Sequence, residues 1–370
     1  MRSVDVVVAG HVCLDLIPDL SNVAAPGGLI CRPGGLIVIG PPAIAGGGAV
    51  HNVGIALHRL GVPVGLVGKV GDDLFGRELL RLLQSHDPSL ASGMRRSAGE
   101  ATSYSLVISP RGVDRSFLHC PGANRTFGFE DMDFDLVAGA RLMHLGYPPS
   151  MDRLCREDAA ELHAIYRKCR ELGVTTSLDL CAVDPGSPAA RLDWRRIFQR
   201  ILPEVDIFQP SLDELCQMLQ VSPTQEAQHL HHLAGELLAM GCAVVVIKLG
   251  ESGIYVQTTS SATRLAAAGR GLQTVQPEAW LDQKLHHPCF VANFVSATGA
   301  GDCTIAGLLA AVLRGEPAAQ AIRSACAVGA CSVEAPDATS GVPAWEQVQA
   351  RLDAGWETHP TPSPFRLRAG

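Results

Sequence analysis

The chain has 370 residues, 47% of them hydrophobic, which is enough apolar material to fill a substantial core in one large domain. A formal net charge of -7 gives no basic footprint for nucleic acid, and no apolar run approaches the roughly 20 residues that span a bilayer. The early run "VVVAG" is broken by charge too soon for a secretory signal, so a cytoplasmic protein is expected, and its 12 scattered cysteines, without a CxxC pair, read as reduced thiols.

Along the chain, "VDVVVAG", "PVGLVGKVG", "RLMHLG", "VTTSLDL", "VDIFQP" and "AVVVIKLG" read as buried strands. Between them, "AVHNVGIALHRLG", "DAAELHAIYRKCRELG", "SLDELCQMLQ" and "AQHLHHLAGELLAMG" repeat apolar residues at helical spacing. The alternation predicts a single α/β domain over residues 1–370: an open, mostly parallel, Rossmann-like sheet with helices on both faces. Two stretches break it, and we expect insertions at about 14–45 and 101–125 to form a small accessory β-sheet lid, with a hairpin at "SPRGVD". A third irregular stretch, 258–293, reads as an excursion at one end of the sheet.

Candidate residues fall in the same order. Asp15 is expected in a loop after the first strand, where a carboxylate can take two hydroxyl donors from a sugar, or simply face solvent. Gly46, Gly47 and Gly48 bring backbone close to something, and Asn52 offers an amide to a ligand or caps a helix. Asp72 and Asp73 read as acids at a helix start. Ser211 and Glu214 in "SLDE" form a capping box. Gly250 and Gly253 make a turn after a strand; His229, His231 and His232, like His286 and His287, invite a metal site, but the leucines at 230, 233 and 237 define a buried stripe that the first three flank, so a solvated helix face is expected instead.

In "TGAGDCTIAGLLAAVL" a glycine turn precedes an apolar helix expected to start near Asp302 or Cys303. Gly299, Ala300 and Gly301 can curl around an anion at the positive end of that helix, or Asp302 can merely cap it.

Three segments, "GHVCLDLIP", "AGGGAVHNVGIALHRLG" with "GLVGKVGDDLFG", and "TGAGDCTIAGLLAAVLRG", resemble in order the motifs of the ribokinase-like, PfkB-type superfamily of carbohydrate kinases over nearly the whole chain. The resemblance implies an ATP-dependent kinase acting on a hydroxyl of a sugar or sugar-like alcohol with Mg2+. Asp302 then matches the base that takes the acceptor's proton, and the backbone of Gly299, Ala300 and Gly301 matches the anion hole. Asp15, Gly47, Gly48 and Asn52 match the acceptor site. Ser211 and Glu214 match the magnesium and phosphate region, with Ser211 where relatives have Asn, and Gly250 and Gly253 match contacts beneath the nucleotide. Ser296 and Ala297 replace an Asp and a Thr that support a monovalent cation, which leaves K+ dependence open. Arg115 and Asn124 resemble lid and hinge positions, Cys326 stands where relatives place an Asn near adenine, and a homodimer through the accessory sheet is implied.

Two rivals follow from the same residues. A nucleoside kinase would set a base against Tyr104, Phe117 or Tyr147, and a non-catalytic sugar or nucleotide sensor would explain Ser211, Ser296 and Ala297.

Overall fold

The runs of β-branched residues form strands because both their faces are covered, and a computed structural model shows what covers them. It describes residues 4–23, 34–109 and 116–360; Arg115 and the tip of the "SPRGVD" hairpin lie outside these.

Among the described residues the strands are β1 (Val6–Gly10), β2 (Cys13–Asp19), β3 (Gly40–Gly47), β4 (Val64–Gly71), β5 (Met94–Ser97), β6 (Tyr104–Ile108), β7 (Ser116–Cys120), β8 (Leu142–Gly146), β9 (Thr175–Leu178), β10 (Ile207–Phe208), β11 (Val244–Lys248), β12 (Ile254–Thr258) and β13 (Lys284–His287). The helices are α1 (Gly48–Arg59), α2 (Leu74–His86), α3 (Phe134–Gly139), α4 (Asp152–Glu171), α5 (Trp194–Ile201), α6 (Leu212–Leu219), α7 (Ala227–Ala239), α8 (Ala262–Ala266), α9 (Gly269–Leu272), α10 (Ala300–Leu313), α11 (Ala318–Ser332) and α12 (Trp345–Asp353).

Nine strands form one sheet in the order β13-β12-β11-β10-β9-β8-β1-β4-β5, parallel from β11 to β5 and antiparallel at the β12–β13 edge. Alternate residues of β1 serve opposite faces: Val6 and Val8 join the core under α1, α10 and α11, whereas Val7 and Ala9 join the core under α4, α5 and α7. α10 is buried on nearly every side, which explains why it is apolar all round. The stretch 258–293 supplies α8, α9 and the edge strand β13, whose four residues are too few to show a period.

The smaller sheet has the order β3-β2-β6-β7. Asp15 lies within β2, not in a loop, paired in register with Ala45 and Ser105. Its strand is hard to read because Pro18 interrupts it, and the register with β3 shifts there. Two rows cross this sheet: Ala45, Asp15, Ser105 and His119 on one face, and Ile44, Leu16, Leu106 and Leu118 on the other. Asn124 ties the sheet to the main one, donating from Nδ2 to the Val12 carbonyl at 2.9 Å and accepting from the Val12 N–H at 3.3 Å.

Every described cysteine is a free thiol, and no described helix is long and apolar enough to cross a membrane.

Candidate active site

β1 is flanked by β4 on one side and β8 on the other, so the chain's direction of winding reverses between β1 and β8. Open α/β sheets place ligands at the carboxyl ends of strands at such a reversal. Here those ends deliver His11 after β1, Tyr147 after β8, Asp179 after β9 and Lys248 as the last residue of β11. The start of α10 adds Asp302 to the same place.

α10 begins at Ala300, earlier than the spacing predicts, with Gly299 as its N-cap at φ 71°. A side chain at Gly299 would bring its Cβ to 2.4 Å from the Cβ of Ala338, so only glycine makes this turn. Asp302 therefore stands in the first helical turn and does not cap the helix; its carboxylate is turned elsewhere. The Ala300 N–H donates to the Ala297 carbonyl at 3.3 Å, while the next N–H groups of a helix have no intrahelical acceptor. Ser296 shapes the approach to the turn, its hydroxyl accepting from the Thr298 N–H at 3.2 Å.

The Asp302 carboxylate receives the Asn52 amide on Oδ2 at 2.8 Å and the Tyr147 hydroxyl at 2.7 Å from Oδ1 and 2.8 Å from Oδ2. Asn52 is thus inside α1, and the cap of α1 is Gly47, so the capping alternative falls away. With its nitrogen committed to Asp302, Asn52 must present Oδ1 to His51 Nδ1 at 3.1 Å, which makes that ring nitrogen the donor. Burial raises the Asp302 carboxyl above its ordinary value, and Asn52, Tyr147 and Lys248 oppose that rise. Burial and Asp302 together hold the Tyr147 phenol well above its ordinary value, so it is the donor of the pair.

The three consecutive glycines are explained by polar neighbours. A Cβ at Gly46 would meet His51, at Gly47 the Asp15 carboxylate, and at Gly48 His11. Asp15 itself accepts from the Cys13 thiol at 3.4 Å, and burial raises its carboxyl. His119 stands across from Ser105, with Nδ1 at 3.1 Å from the hydroxyl, and its Nε2 is 3.3 Å from His11 Nε2. Burial and that neighbour push His11 down to about 3, so both rings stay neutral at physiological pH.

On the opposite side, Ser211 caps α6 and accepts from the Glu214 N–H, while Glu214 Oε2 accepts from the Ser211 N–H, both bonds of the expected box. Ser211 bridges to Lys248, whose Nζ sits 2.8 Å from Asp179 Oδ1 with both groups buried. Burial pushes Asp179 up to about 8 against the pull of Lys248. Burial alone would lower the Lys248 ammonium, but Asp179, Glu214 and Asp302 outweigh it and keep it charged. The same ammonium lies 3.6 Å from where a Gly301 side chain would point. Gly250 takes φ 59° facing open space, whereas Gly253 is required by packing, since a Cβ there would strike the His287 carbonyl. His231 binds Gln257 at 2.9 Å, and among the described residues no three His, Cys, Asp or Glu side chains are grouped to hold a metal.

Asp302, Asn52 and Asp15 thus converge with four groups the sequence reading did not assign: His11, His119, Asp179 and Lys248. Lys248 carried a signal, being a charge at the carboxyl end of an otherwise apolar strand, whereas Asp179 follows the mostly polar run Thr175–Leu178 and carried none.

A buried carboxylate beside a glycine turn and a helix N-terminus, at the reversal point of an α/β sheet, defines a phosphotransferase-like site. The pfkB family carbohydrate kinase model matches residues 5–345, and the chain belongs to that family. It is a sugar or nucleoside kinase of the PfkB superfamily. An uncharacterized sugar kinase of Archaeoglobus fulgidus is 26% identical over 289 residues, covering 78% of this chain and 98% of that protein. The aminoimidazole riboside kinase of Salmonella typhimurium is 28% identical over 358 residues, 94% of each chain. In fold, the ribokinase of Arabidopsis thaliana, solved with ribose and ATP, superimposes with a TM-score of 0.74 at 20% identity over 95% of this chain and 99% of that one.

Proposed function

We propose that the protein transfers the γ-phosphoryl group of ATP to a hydroxyl of a sugar or sugar-like alcohol, with Asp302 as the base. The observation that carries this reading is the juxtaposition of a buried, hydrogen-bonded Asp302 with the unsatisfied N–H groups at the start of α10. Asp302 takes the acceptor's proton as the oxygen attacks phosphorus and the bond to the leaving phosphate breaks. The backbone at Gly299, Ala300 and Gly301 lines the position where charge gathers on the transferred group, with Gly301 and Asp302 as the unspent donors and the Lys248 ammonium close behind. Asp15, Asn52 and the backbone of Gly47 and Gly48 face the acceptor from β2, α1 and the β3–α1 junction, and the small sheet serves as the lid.

Magnesium usually keeps several waters and phosphate oxygens and needs only one or two protein carboxylates. Glu214 and Asp179 are the oxygen donors that would face it, Ser211 stands beside them, and Gly250 lies open to the nucleotide. When bound, the ion would neutralise phosphate charge.

ADP release measured across a panel of hexoses, pentoses, polyols and ribosides tests the reading. At least one neutral polyhydroxy acceptor is expected to stimulate release; stabilisation by these ligands with no release would favour the sensor. A riboside acceptor is the second reading, supported by the similarity to aminoimidazole riboside kinase.

A homodimer through the small sheet is supported by the exposed ends of its second apolar row, Ile44 at 47% and Leu118 at 63%. Sedimentation is expected to report two copies of the 39.1 kDa chain, and Leu118→Glu to shift the protein toward one; a monomeric wild type contradicts this.

A further inference from the structure

Tyr147 is unusual in its backbone and in its side chain. It adopts φ 65° and ψ 41°, the left-handed region that a side chain disfavours, between the last residue of β8 and the Pro148–Pro149 pair. A costly conformation of this kind persists where the surroundings over-determine it. What it achieves is the delivery of the phenol to Asp302, 2.7 Å from Oδ1 and 2.8 Å from Oδ2, with the ring 5.8 Å from that of His11.

The lone pairs of Asp302 can then be counted. Oδ2 receives Asn52 and a share of the Tyr147 proton, while Oδ1 receives only a share of the latter. We propose that Tyr147 is a positioning residue for phosphoryl transfer: with the His51–Asn52 pair it fixes the plane of the Asp302 carboxylate and leaves one Oδ1 lone pair to take the acceptor's proton. The inference rests on the reading of Asp302 as base.

The charged and titratable groups around Asp302 set the sign of the test. Asn52 from α1 and Tyr147 after β8 donate to it, and Lys248 at the end of β11 attracts it. Glu214 on α6 repels its charge, and Asp179 after β9, Asp15 and Cys13 on β2 and its neighbour Cys303 are also within electrostatic reach. Removing the phenol removes a donor to the charged form while burial and the carboxylates remain, so the Asp302 carboxyl rises further.

Tyr147→Phe is therefore expected to move the acidic limb of the kcat/KM profile to higher pH by about one unit, a tenfold loss on the limb, with the two enzymes converging above it. Replacing Tyr147 by 3-fluorotyrosine, a stronger donor of the same shape, is expected to move the limb to lower pH, and it keeps the test open if the Phe variant folds poorly. An unmoved limb in both, or a rise in acceptor KM alone, overturns the inference. Asp302→Asn assayed alongside separates the two claims: retained turnover there defeats the base reading, whereas lost turnover with an unmoved Tyr147 limb defeats only the positioning role.

Discussion

Asp302→Asn is expected to lower kcat by about 10²- to 10⁴-fold while leaving acceptor and ATP binding largely intact. The substitution keeps the size and planarity of the group. Its remaining oxygen can still accept from the Asn52 amide, and its new amide can donate to the Tyr147 oxygen, so the contacts that hold the carboxylate have counterparts. What is lost is the capacity to take a proton. A loss carried by KM rather than kcat would mean that Asp302 binds the acceptor instead of activating it; steady-state kinetics with both substrates varied separates the cases.

Lys248→Met is expected to have the largest effect on stability. Once Asp179 is ionised, the variant leaves it buried without its counter-charge, close to Asp302 and Glu214, and breaking a buried pair from one side costs about 3–5 kcal/mol. Denaturant unfolding reads this directly. The deficit is expected to open as pH rises through about 8 and to close towards neutral pH, where Asp179 is protonated and carries no charge to leave unpaired. Asp179 is already pushed up to about 8 with the lysine present, and removing the lysine pushes it higher. A variant as stable as the wild type at a pH above 8, where Asp179 ionises, would mean that water, not Lys248, compensates Asp179.

Six parallel strands of the main sheet, β1, β4, β8, β9, β10 and β11, were legible because they are buried on both faces and fall in short runs bounded by turns, whereas β5, with Arg95 and Arg96 exposed at the sheet edge, shows no such run. The small sheet was legible only in part. β2 turns Asp15 toward the site and Leu14 and Leu16 toward the core, but Pro18 lies within it, so Asp15 read as a loop residue although its register with Ser105 is regular. Single positions fared according to whether their partners are local. Ser211 and Glu214 bond within one helical turn, and their box followed from spacing alone. Asn52 and Asp302 meet across 250 positions, and Lys248 and Asp179 across 69, so no local pattern announces either pair. The start of α10 moved to Ala300 because Gly299, in the left-handed region, already closes the turn that Asp302 seemed needed to cap.

The central claim is that this site moves a phosphoryl group onto an alcohol. With the acceptor that gives the strongest ADP release, a single turnover with γ-labelled ATP should place the label on that acceptor's hydroxyl in the wild type, with little or none transferred by Asp302→Asn. Label released only as inorganic phosphate, or equal transfer by both proteins, would contradict the account.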